Sequence, residues 1–219
     1  MMRRIRIDAG AYFLLAALVL TERADALLIY VGCALAHELG HLFAARSRGI
    51  AIEQIRIGLT GARICTREGA GSYFDELILA LSGPLVNVAA VAYGVFIFNR
   101  FGISAVDVLG AAERFALGGR TDALGVWAFV IACAAVQGAV NLLPVRTLDG
   151  GRVLYCLCAL TLGQRAAERV LSFTSGMCAI AIWLAALYLM LKVHAGLGIY
   201  AFCACLFVGT LRDGELIEK

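Results

Sequence analysis

His37, Glu38 and His41 fall in one five-residue run, His37-Glu38-Leu39-Gly40-His41, inside an apolar stretch from Ala26 to Ala45. Three ionisable side chains are costly in such surroundings unless they bind a ligand or one another. Positions i and i+4 of a helix lie on nearly one face, so the two imidazoles can grip one metal ion with Glu38 beside them. This is the H-E-x-x-H arrangement, in which two histidines bind zinc and the glutamate serves as general base. The competing reading is a polar patch at a helix–helix contact.

Composition identifies the solvent. The chain is 62% hydrophobic and 16% charged, with only two prolines in 219 residues and a mean hydropathy of +0.86. Those values lie far from the soluble average and predict an all-α polytopic membrane protein of about six spans. Five apolar segments approach the roughly 20 residues that a bilayer core requires: 26–45, 77–98, 123–143, 170–191 and 195–211. A sixth, 9–20, is short and spans only with tilt or bilayer thinning. Its rival reading is a cleaved secretory signal, because Arg3, Arg4 and Arg6 precede it and Ala24-Asp25-Ala26 imitates a cleavage site.

Basic residues orient the spans. With six spans and the N-terminus inside, Arg23, Arg100, Arg114, Arg120 and Lys192 are the only ones of the 19 basic residues on the outer side. Both termini are therefore expected in the cytoplasm. The net charge of +3 gives no reason to expect a nucleic-acid partner; the lipid bilayer is the expected surrounding.

A third ligand must reach the depth of His37 and His41, near the cytoplasmic end of their helix. Asp149 is the candidate, in Asn141-Leu142-Leu143-Pro144-Val145-Arg146-Thr147-Leu148-Asp149-Gly150-Gly151, which begins where the fourth span reaches the same side. Pro144 should break that span, and the two glycines after Asp149 permit a tight turn and close backbone approach. Irregular backbone at membrane depth is tolerated where it lines a protein cavity. The alternative makes Asp149-Gly150 an interfacial helix cap or turn.

These two motifs resemble those of the site-2 protease family of intramembrane zinc metalloproteases. The wording Asn-Leu-Leu-Pro with Leu-Asp-Gly-Gly-Arg resembles most the stage IV sporulation protein FB-like subgroup. Ser82-Gly83-Pro84-Leu85-Val86-Asn87 is similar to the family's Gly-Pro-x-x-Asn pattern. The resemblance covers a catalytic core of about 26–154. It implies one zinc ion held by His37, His41 and Asp149, with Glu38 as catalytic acid/base. It also implies that Asn141 helps hold substrate, and that Asn87 orients substrate or stabilises the oxyanion; Pro144 is grouped with them on the substrate side. The implied substrates are membrane-associated or transmembrane proteins cut near the cytoplasmic face of a bacterial membrane, a sigma factor among them. Membrane inhibitor or regulator proteins are the further expected partners.

Beyond the motifs, Ile50, Ile52, Ile55, Ile57, Leu59 and Ile64, broken by Gly58 and Gly61, predict short strands or a hairpin after the active-site helix. One edge of it is expected to hold an extended substrate by strand addition. The outer segment 99–122 is expected to carry a weak interfacial helix with Ile103, Val106, Leu109 and Phe115 on its face. Eight cysteines read as small hydrophobes, since Cys156/Cys158 and Cys203/Cys205 point apart on a helix. Gln137, one turn before Asn141, is expected in interhelical hydrogen bonding. The chain reads as a single membrane-embedded domain over 1–219 with a C-terminal helical pair at 170–211 and neither a PDZ nor a CBS domain. A non-proteolytic metal-binding protein or transporter is the alternative function. It would want polar ligands repeated along several spans, whereas Glu38 is essentially the lone intramembrane acid.

Overall fold

A computed structural model describes residues 4–7, 24–50, 52–58, 61–66, 71–118 and 122–193. The expected spans at 9–20 and 195–211 lie outside the described residues. The elements run β1 (Arg4–Ile7), α1 (Ala24–Ser47), β2 (Ile52–Gly58), β3 (Gly61–Thr66), α2 (Tyr73–Arg100), α3 (Ala105–Ala116), α4 (Ala123–Asn141), α5 (Asp149–Leu162) and α6 (Gln164–Val193). Among the described residues, α1, α2, α4 and the 164–185 part of α6 are long and apolar enough to cross a membrane. The chain forms two compact units, Met1–Val140 and Asn141–Lys219.

In the first unit the usual amphipathic logic is inverted. The buried face of α1 carries His37, His41, Ala44 and Ala45, while Leu35, Leu39 and Phe43 are exposed, as suits helices whose solvent is hydrocarbon. Small residues let α1 and α2 approach closely. A Cβ on Gly40 would stand 2.6 Å from the Ser82 carbonyl oxygen and 2.7 Å from Val86 Cγ2. Pro84 sits inside α2, where it removes one backbone donor. At the helix ends, Ser72 caps α2 by accepting from the Asp75 N–H. Arg48, just past α1, donates to Asp75 at 2.7 Å.

Three strands form a sheet in the order β1-β2-β3. β2 and β3 pair antiparallel, with Ile57 opposite Ala62 and Gly58 opposite Gly61. β1 pairs parallel to β2, with Ile7 opposite Ile57. The basic segment Arg4–Ile7, read above only as a charged flank, is thus a sheet strand, and β2 is central. β3 lies against α1.

Helix α3 opens with a capping box between Ser104 and Asp107. Its buried face is Ala111, Ala112 and Phe115, with Phe115 5.1 Å from Phe129 of α4 between ring centroids. Val106 and Leu109 are exposed, whereas Phe115, expected to share their apolar face, packs inward. The small alanine side permits close packing against Phe98 and Ala128, leaving the bulky side outward.

In the second unit, the loop Leu142–Leu148 connects to α5, whose N-cap is Leu148. Gly150 and Gly151 are helical rather than turn glycines. A Cβ on Gly150 would stand 2.1 Å from the Leu142 carbonyl oxygen, and one on Gly151 2.1 Å from that of Val145. Their need is contact with the incoming loop, which corrects the tight-turn expectation.

Candidate metal centre

His37 and His41 are 3% and 5% exposed, one helical turn apart, with their Nε2 atoms 3.2 Å from each other. Glu38 follows His37 and is half-buried. Two nitrogens bound to one tetrahedral zinc at about 2.0–2.1 Å would stand roughly 3.3 Å apart, so the pair already has the spacing that a shared ion demands.

Helix α2 shapes the rest. A Cβ on Gly83 would lie 2.4 Å from His41 Nε2 and 2.7 Å from His37 Nε2. Gly83 thus packs directly against the point where both nitrogens converge, with no room for a side chain. The imidazoles are also held from behind. His41 Nδ1 is 2.7 Å from the Leu79 carbonyl oxygen; an oxygen there can only accept, so Nδ1 carries the proton and Nε2 keeps its lone pair. The Ser82 hydroxyl donates to the same carbonyl at 2.6 Å and lies 3.2 Å from His41 Nδ1.

Asn87, 2% exposed, places its side-chain amide 3.3 Å from His37 Nδ1. With the amide nitrogen donating, Nδ1 accepts and the His37 proton sits on Nε2, directed at His41. With the amide turned over, its oxygen accepts from Nδ1–H and frees the Nε2 lone pair for a metal. Amide oxygen and nitrogen are near-isosteric, so Asn87 can serve either tautomer. Such partners fix ligand orientation and raise ligand basicity. The structure therefore places Asn87 behind the His37 imidazole.

Helix α4 backs Asn87. A Cβ on Gly138 would approach Asn87 Cβ to 3.1 Å, and the Gln137 amide donates to the Tyr30 carbonyl of α1 at 2.9 Å. Gln137 is thereby an interhelical tie, as its position suggested. Ser82, Gly83 and Gly138 are the contributors that sequence reasoning did not assign. Ser82-Gly83-Pro84 was visible as a motif, but nothing local reveals which atoms meet it.

In the second unit, Asp149 opens α5 with Arg152 3.9 Å away on the next turn. Asn141 ends α4, and Pro144 is half-buried in the following loop.

Helices long and apolar enough to cross a membrane and a buried, pre-spaced His-Glu-x-x-His pair fit a membrane-embedded metal centre. The sequence model of peptidase family M50 matches residues 25–185, and the chain belongs to that family. Among solved structures it is similar to "Site-2 Protease from Methanocaldococcus jannaschii", at 17% identity and a TM-score of 0.67, covering 97% of this chain and 91% of that one. That likeness supports a shared fold. No curated protein matches the chain.

Proposed function

We propose that the protein is an intramembrane zinc endopeptidase that hydrolyses peptide bonds of membrane-associated or transmembrane proteins near the cytoplasmic face. The observation that carries the reading is the buried Nε2 pair, 3.2 Å apart, packed against Gly83 where no side chain would fit. His37, His41 and Asp149 each offer one ligand atom and as a group could hold a metal ion. This His₂-carboxylate donor set suits zinc and leaves one position open.

Bound there, zinc supplies Lewis acidity toward the scissile carbonyl and lowers the pKa of a water. Glu38 takes the proton of the attacking water and returns it to the leaving amine, a transfer worth about 10²–10⁴-fold in rate. Leu79, Ser82 and Asn87 hold the imidazoles through their Nδ1 atoms. Asn141, with Pro144 ending the helix beside it, holds the unwound substrate. The sporulation FB-like wording of the second motif points to maturation or release of a transcription regulator such as a sigma factor. It also points to control by membrane inhibitor proteins and to a bacterial cytoplasmic membrane with both termini inside.

Co-expression of candidate membrane substrates with wild type and Glu38→Gln tests the reading. The expected result is full zinc content with product reduced at least about 100-fold. Equal product from both would remove Glu38 from the chemistry.

A further inference from the structure

On α6, Glu168, Ser172 and Ser175 recur at spacings of four and three, so they form one polar stripe along the helix. All three reach the same short segment. The Arg146 N–H donates to Ser175 Oγ at 3.0 Å, and the Ser175 hydroxyl donates to the Pro144 carbonyl at 3.4 Å. The Arg146 guanidinium donates from Nη2 to Glu168 at 2.9 Å and to Ser172 Oγ at 2.9 Å.

Ser175 is 5% exposed and satisfies two backbone groups that the proline-broken chain leaves open. Those groups flank Val145, which is 1% exposed. The Val145 carbonyl in turn presses on Gly151, as the Leu142 carbonyl presses on Gly150. Displacement of the loop by even part of an ångström would push on the first turn of α5, which begins with Asp149.

We propose that Glu168, Ser172 and Ser175 are positioning residues, which through Arg146 and the Pro144 carbonyl fix the loop that sets the place of the Asp149 carboxylate. The inference rests on Asp149 being a zinc ligand, as proposed above. Helix α6 then serves as a template for a ligand as well as a membrane span. Charge-assisted bonds from Arg146 make the template specific to guanidinium geometry.

The test is a thermodynamic cycle on zinc affinity, measured by chelator competition on the purified full chain: wild type, Ser175→Ala, Asp149→Ala and the double variant. Loss of an outer ligand-supporting contact typically weakens metal binding about 10–100-fold, and Ser175→Ala should fall in that range. In the Asp149→Ala background the same change should add nothing, because the residue it positions is gone. An unchanged Kd in Ser175→Ala, or an equal fold-change in both backgrounds, overturns the proposal. Asp149→Ala alone binding zinc like wild type would instead fault the ligand assignment. If Ser175→Ala does not fold, the pair Glu168→Ala with Ser172→Ala, which removes only the guanidinium partners, carries the same readout and outcomes.

Discussion

Gly83→Ala puts a methyl against the Nε2 atoms of both imidazoles. Its carbon would stand 2.4 Å from His41 Nε2 and 2.7 Å from His37 Nε2, which is 1.0 Å and 0.7 Å short of the 3.4 Å at which ordinary contact begins. The rings cannot retreat freely: His41 is tied to the Leu79 carbonyl, and His37 to the Asn87 amide. Overpacking of this size costs about 1–3 kcal/mol, partly offset by about 1 kcal/mol from replacing helical glycine with alanine. The fold should survive. The placement of the two nitrogens that an ion at about 2.0–2.1 Å from each requires should not. We expect zinc affinity to fall by more than about 100-fold, beyond the usual effect of losing an outer partner, with a circular-dichroism melt near that of wild type. Zinc content by mass spectrometry, chelator competition and substrate cleavage form the assay. Stoichiometric zinc with wild-type cleavage would refute the reasoning, since the two nitrogens would then keep their ion-binding placement despite the methyl.

Asn87→Ala removes the group behind His37 and should weaken zinc binding about 10–100-fold. Asn87→Asp, which can only accept from Nδ1–H, should bind zinc much more nearly like wild type; equal losses in the two would count against the tautomer argument. Because β2 is paired on both sides, the strand-addition idea is tested on β3. Of Arg63→Pro and Ile64→Pro, the one whose N–H faces the free edge should lose cleavage while retaining zinc, and unchanged turnover in both would discard edge docking there.

What the sequence disclosed divides along the range of the interactions involved. The shared face of His37 and His41 follows from helix geometry alone and is visible in five residues, as is the break of α4 before Pro144. The contribution of Gly83 is different in kind. A glycine matters here for the side chain it lacks against atoms of another helix, and no local pattern reveals which atoms those are. The same applies to Gly150 and Gly151, where the opposing surface is loop backbone. Arg4–Ile7 misled because a parallel partner some fifty residues away leaves no periodicity to read. In α3 nothing local said that Ala111, Ala112 and Phe115 would be the residues to pack on Phe98 and Ala128 of the neighbouring helices. The stripe on α6 was present as Glu168, Ser172 and Ser175, yet without the loop opposite it looked like interfacial polarity.

Anomalous diffraction at the zinc edge from crystals of the purified protein tests the central claim most directly. The account predicts one strong peak about 2.0–2.2 Å from His37 Nε2, His41 Nε2 and an Asp149 carboxylate oxygen. A peak elsewhere, or one on the imidazoles with the Asp149 carboxylate too distant to share it, would contradict it.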